Sequence, residues 1–314
     1  MGLFTKTTTK AVAYVKTIVD CITITLRYYN NIKYLFGITD RVKVTDDIFI
    51  QIPEKTVRKR IGNLAKIKRC LDNGWIPVSA RKDRTVVLVN KELGIKIVQN
   101  NFGIVLENFT QLIDKVSKVA EEKENVIDVG GFFGETAVMF AKKGYKKVYV
   151  FEPVCANMQY ILENIEINGL KNRIVPINKA VADRDSTVTI VSSEPPLTPG
   201  FGLKNTGKAR YKIEVEAVSW NTLLKDIKRG KYGKVSVLKA DCEGCEKYLA
   251  NVPKHLLQAV PVWIVETHTK DVYSKVVEKF TEAGFEQIYN KHMGADVKLI
   301  ILKVKKNVAE YVSS

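Results

Sequence analysis

The chain has 314 residues, 46% of them hydrophobic and 27% charged, with 50 Lys and Arg against 34 Asp and Glu. That balance describes a soluble globular protein with a real core, long enough for one large domain with an appendage or for two domains. No stretch reaches the ~18–20 uninterrupted apolar residues of a membrane span, and the five cysteines form no secretory framework, so the chain reads as cytoplasmic.

The charge is unevenly spread. Residues 1–120 hold 21 Lys and Arg against 10 Asp and Glu, and the remainder 29 against 24, so most of the net +16 lies in the N-terminal third. A field of that sign favours phosphates, nucleic acid, acidic lipids or anionic glycans. A solvated basic face is the plain alternative.

In chain order, residues 11–36 come first. Lys16 and Asp20 interrupt their apolar part, which is therefore not a signal peptide. Val12, Val15, Val19, Ile22, Leu26 and Tyr29 recur at helical spacing. Such a stripe is expected to dock on the protein's own core. The other reading is an interfacial helix on an acidic membrane, which would make the protein peripheral to it. The run CITITLRYY also alternates like a strand. Residues 58–69 predict a basic helix ending at Asp72-Asn73-Gly74, and residues 84–100 a β-hairpin. A helix over 112–124 follows. A boundary near residue 110 separates a basic extension of helices and a hairpin (1–110) from a second domain (111–314).

In that second part strand and helix alternate. Strands are predicted at 126–130, 147–152, 174–181, 235–241 and 261–267, and helices at 136–143, 155–168, 222–228, 245–251 and 272–283. Alternation of this kind builds a mostly parallel, doubly wound sheet. FEQIYN, a turn at Met293-Gly294 and VKLIILKVK then read as an antiparallel hairpin. Residues 192–208 hold three prolines and three glycines and must be a loop, of the length of a lid or binding loop.

The second domain opens with Val126-Ile127-Asp128-Val129 and three glycines, Gly130, Gly131 and Gly134. Gly-x-Gly-x-x-Gly fits no frame here, and no Gly-Lys-Ser/Thr follows, which disfavours a dinucleotide site or a P-loop. Asp128-x-Gly130-x-x-x-Gly134 fits the looser turn of enzymes that use S-adenosylmethionine (SAM), where glycines let the backbone approach a ligand. Glu152 ends the next strand, where a carboxylate takes both ribose hydroxyls.

The chain resembles the FkbM family of SAM-dependent methyltransferases. The resemblance rests on Asp128-Val-Gly130-Gly-Phe-Phe-Gly134-x-Thr136, VFEP with Asn157, NKAVADRD, VEAVSWNTLL, VLKADCEGCE and VETH, in the family's order from about residue 126 to 304. It implies the class I methyltransferase fold: α/β, Rossmann-like, a mostly parallel seven-stranded sheet with a C-terminal antiparallel hairpin, here beside an N-terminal α+β extension. It implies SAM as cofactor, bound by Asp128, Gly130, Gly134, Thr136, Glu152, Pro153, Asn157 and Ala180. Methyl transfer to a hydroxyl of a carbohydrate, lipid-linked sugar or other small metabolite also follows. Gly131-Phe132 replaces the family's usual Ala-Asn, which removes a polar side chain from the turn. Residues 1–110 lie outside the resemblance.

Ligands of open α/β sheets sit at the carboxyl ends of the strands. There the sequence places Asp241, Glu243, Glu152, Glu266 and His268. Asp241 is the first candidate for the base or acceptor orienter, His268 the second, with Glu243 beside them. A divalent metal on Asp241, Glu243 and His268 is the less favoured arrangement, since no metal motif is complete. Cys242 and Cys245, in CxxC spacing, lack a second ligand pair for zinc and read as small packing residues. An RNA methyltransferase is the alternative function. Against it, residues 55–84 offer only Trp75 as a stacking platform. A non-catalytic SAM-binding protein is the third reading.

Overall fold

The computed structural model describes residues 2–36, 38–52, 54–83, 85–100, 106–195, 201–203, 209–293 and 296–305. The chain divides into two compact units, Met1–Gln111 and Leu112–Ser314.

The first unit opens with α1 (Gly2–Arg27) and α2 (Tyr29–Leu35), so helical spacing prevails over strand-like alternation in CITITLRYY. The face that docks is not the one the stripe suggests. Asp20, Cys21, Ile24, Thr25 and Tyr28 are buried, whereas Val15, Val19, Ile22 and Leu26 are 59%, 54%, 50% and 77% exposed. The side chains of Val12 and Tyr29 lie outside the described ones. The orientation has a polar cause: Asp20 pairs with Arg69 Nε at 3.0 Å, and Arg69 Nη2 donates to Thr17 Oγ1 at 3.2 Å. Next come β1 (Arg41–Lys43), β2 (Phe49–Gln51) and α3 (Val57–Asp72). Arg69 belongs to α3, whose first turn Thr56 caps by accepting from Lys59 N. The expected hairpin is β4 (Thr85–Asn90) with β5 (Ile95–Asn100), and β3 (Ile76–Ala80) adds a third antiparallel strand. Pro77 disguises β3 in the sequence, because proline is confined to edge strands. Helix α4 (Leu106–Val119) leads into the second unit.

That unit holds β6 (Asn125–Val129), α5 (Glu135–Lys142), β7 (Val148–Phe151), α6 (Cys155–Ile167), β8 (Ile174–Ile177), β9 (Ala180–Ala182), β10 (Ser186–Ser192) and β11 (Tyr211–Ser219). It continues with α7 (Trp220–Lys228), β12 (Val235–Ala240), a 3₁₀ turn at Glu246–Asn251, α8 (Lys254–Leu257), β13 (Val262–Thr267), α9 (Lys270–Glu282), β14 (Phe285–His292) and β15 (Lys298–Val304). Seven strands form one sheet in the order β14-β15-β13-β12-β6-β7-β8. The five from β13 to β8 run parallel, and β15 pairs antiparallel with both β13 and β14, so β15 alone runs against the other six. Every residue of the central β12 is buried, as both faces of a parallel sheet must be covered. Trp220, Trp263, Phe280 and Phe285 anchor one face, with successive ring centroids 6.0, 5.1 and 5.0 Å apart.

Residues 174–181 prove to be two strands rather than one. Asn178 Nδ2 donates to the carbonyls of Glu152 (2.8 Å) and Pro153 (3.1 Å), turning the chain across the end of β7. β9 then joins a separate sheet, β10-β11-β9. β10 and β11 flank the long loop; residues 196–200 and 204–208 of that loop, and Gly294 of the C-terminal turn, lie outside the described residues. The expected helix at 245–251 is the tighter 3₁₀ turn.

Candidate active site

The glycine turn connects β6 to α5. Gly130 and Gly134 have φ of 83° and 82°, and Phe132 lies between them at 49°. That left-handed conformation is one Asn tolerates and Phe rarely adopts. Its result is a backbone contact: Phe132 N donates to Glu152 Oε2 at 2.8 Å. The Phe132 ring stacks on Phe133, centroids 4.2 Å apart, and Phe133 stacks on Tyr160 at 4.3 Å.

Glu152 ends β7 with both carboxylate oxygens already oriented. Oε1 accepts from Val154 N at 2.9 Å and from Asn157 Nδ2 at 3.0 Å. Asn157 is buried, and its Oδ1 has no hydrogen-bond partner. Pro153 is half-buried beside the clamp, and Ala180 is buried at the start of β9. Burial pushes Glu152 up to about 7, against the bonds from Val154, Asn157 and Phe132 that favour its ionised form. Asp128 is fully buried, accepts from Thr136 Oγ1, and lies 3.1 Å from Lys239 Nζ. Asp128 and Thr136 thus brace the turn from within, beside the Glu152 carboxylate that the Phe132 amide ties to it.

At the ends of β12 and β13 the buried Lys239 and the half-buried His268 are set among carboxylates. Lys239 Nζ, besides Asp128, lies 3.4 Å from Asp241 Oδ2 and donates to the Gly130 carbonyl at 3.1 Å. His268 Nδ1 contacts Glu246 Oε1 at 2.8 Å, while Nε2 lies 3.2 Å from Glu243 Oε2 and 3.4 Å from Glu266 Oε1. The positive φ of Glu243, 55°, turns the chain back. Glu246 Oε2 accepts from Gly244 N at 2.8 Å, and Cys242 and Cys245 are joined by a disulfide across the turn, where the sequence suggested mere packing residues. Gly202 abuts this turn so closely that a Cβ would lie 2.0 Å from the Glu243 carbonyl oxygen. The described part of the long loop therefore reaches the candidate catalytic residues.

The profile of the methyltransferase FkbM domain matches residues 128–286, half of the chain and the whole of this site. The chain belongs to the FkbM methyltransferase family. It is a SAM-dependent methyltransferase, and SAM is its cofactor. No curated protein sequence matches it. Among solved structures it is similar to a protein of Pyrococcus horikoshii named as a transferase, at 16% identity over 88% of this chain and 95% of the other, TM-score 0.44. Similar also are the ribosomal protein L11 methylase of Lactobacillus delbrueckii subsp. bulgaricus (15% identity, 63% and 78% covered, TM-score 0.37) and M. capricolum TrmK in complex with S-adenosyl-homocysteine (13%, 62% and 68%, TM-score 0.35).

The electrostatics of this FkbM methyltransferase divide the candidates. Asp241, with about a fifth of its side chain exposed, is pushed up to about 7 by burial and by Glu266 and Glu243, with Lys239 and His268 opposing. For His268 burial works downward, but Glu243, Glu246 and Glu266 prevail and push it up to about 12. An imidazole so held keeps its proton at neutral pH. The three carboxylates thus favour the imidazolium, a positive charge beside Asp241. One ligand atom each of Asp241, Glu266 and His268 falls within 4.8 Å of the others, a donor set able to hold a divalent cation. The imidazolium supplies the balancing charge without one. Three partners complete the arrangement: Glu246 and Glu266, which hold His268, and Lys239, which ties Asp241 to the glycine turn. Glu266 is among the strand-end residues legible in the sequence, and alternation along β12 sets Lys239 two residues before Asp241 on the same face.

Proposed function

We propose that the protein transfers the methyl group of SAM to a hydroxyl of a carbohydrate, a lipid-linked sugar or another small hydroxylated metabolite. Asp241 is the observation that carries this reading. A partly exposed carboxylate at the end of the central strand, with a pKa near 7, suits removal of a proton from an alcohol near neutral pH. When bound, SAM supplies a methyl carbon activated by its sulfonium charge. Glu152 would accept from its ribose hydroxyls, and Asn157 and the Phe132 amide hold Glu152 in place. Asp241 accepts the acceptor's hydroxyl proton on a carboxylate oxygen. His268, kept cationic by Glu243, Glu246 and Glu266, stabilises the ionised Asp241 that must exist before the proton moves. Lys239 does the same from the other side. Holding the oxygen in line with the methyl contributes as much as the proton transfer itself.

The test is incubation with methyl-labelled SAM and separated glycan, polar-lipid and RNA fractions. Label in the glycan or lipid-linked fraction, as a base-stable methyl ether absent with Asp241→Asn, is the expected result. Label confined to RNA, or released by mild base as a methyl ester, contradicts the reading.

A further inference from the structure

Four aliphatic side chains stand in solvent on one face of α1. Val15, Val19, Ile22 and Leu26 follow one another at intervals of four, three and four residues, and all are at least half exposed. At about 100° per residue they fall within an arc of roughly 60°. Isolated exposed leucines need no explanation, but a contiguous apolar strip along three turns does. The helix is held by its other side, through buried Cys21, Ile24 and Tyr28 and the Asp20–Arg69 pair, so the strip is a stable surface of the folded unit.

The exposed charge of the helix itself is of one sign. Asp20 is the sole acidic residue of α1, and it is buried against Arg69. The exposed side of the helix over residues 15–27 therefore carries no negative charge. Lys16 and Arg27 are exposed at one edge of the strip, and Lys33 is exposed on α2. We propose that this face of α1 docks on an anionic lipid bilayer, lying in the plane of the interface with its aliphatic side chains among the acyl chains and its basic ones at the headgroups. No helix among the described residues is long and apolar enough to cross a membrane, which leaves the in-plane orientation. The chemistry selects this occupant over others. A nucleic acid would use the basic groups but has no partner for four aliphatic side chains. A second copy apposed strip to strip would bring Lys16 and Arg27 towards their own equivalents. The inference does not rest on which acceptor is methylated, although it would bring a lipid-linked one within reach.

Cosedimentation of the full chain with vesicles tests it, using phosphatidylcholine alone or mixed with phosphatidylglycerol, beside sedimentation velocity without lipid. The chain should pellet with the mixed vesicles, not the neutral ones, and less so as salt rises. Ile22→Asp with Leu26→Asp should weaken this binding at least about tenfold, with SAM affinity and melting temperature unchanged. A chain that stays in the supernatant overturns the proposal. So does a double variant that binds as well as the wild type, since basic charge alone would then account for adhesion. A solution dimer that the same substitutions dissolve would assign the strip to a second copy instead.

Discussion

Gly130 and Asp241 meet through their backbones. A Cβ on Gly130 would lie 1.7 Å from the Asp241 carbonyl oxygen, and Gly130 has a φ of 83°. The Asp241 amide in turn donates to the Val129 carbonyl at 3.0 Å. The turn proposed to receive the cofactor and the strand end that carries the candidate base are thus one packed unit, with Lys239 spanning both.

Gly130→Ala should therefore fail twice, by steric overlap and by a conformation L-residues avoid. The expected cost is about 3 kcal/mol of stability in a denaturant titration, together with loss of SAM binding. A variant as stable as the wild type that keeps its SAM affinity would refute the close packing of the two ends.

The pKa of Asp241 fixes the direction of the pH profile. A carboxylate raised to about 7 is protonated, and useless as a base, below that pH. The rate of methyl transfer should rise with pH through about 7 and level off above it. Measuring kcat at saturating SAM keeps the titration of Glu152, also near 7, out of the profile, because Glu152 acts on cofactor affinity. Asp241→Asn should lower kcat by about 10²–10⁴ and abolish the rising limb. A limb that persists in the variant assigns the proton transfer elsewhere.

The Cys242–Cys245 disulfide closes the turn that sets Glu243 at its positive φ. Replacing both cysteines with serine should cost about 2 kcal/mol, the loop-closure value for so short a ring. It should also lower kcat several-fold, by loosening Glu243 from His268, while SAM affinity stays within about twofold of the wild type (roughly 0.4 kcal/mol). Equal loss of kcat and of SAM affinity would mean that the turn supports the whole site rather than Glu243.

Much of the second unit is legible in the sequence because its signals are local. The apolar strands and the glycine turn each act within a few residues, and the alternation dictates the sheet. What escaped depends on contacts distant in sequence. The buried face of α1 is chosen by Asp20 meeting Arg69, not by the strongest apolar stripe. The break between β8 and β9 follows from Asn178 reaching back to Glu152. The state of His268 depends on carboxylates from the β12–α8 connection and from β13, which favour its protonated form. At Phe132 the side chain departs from the family's pattern, yet the backbone amide delivers the contact to Glu152. Side-chain identity at that position says little about it.

The central claim is that Glu152, at the end of β7, clamps the ribose of SAM. Calorimetric titration of SAM into the wild type and into Glu152→Ala tests it most directly. Wild-type binding should weaken about 100-fold or more in the variant, since two hydrogen bonds to a charged group contribute about 1.5–3 kcal/mol each. A folded wild type that does not bind SAM, or a variant that binds it equally well, would contradict the account.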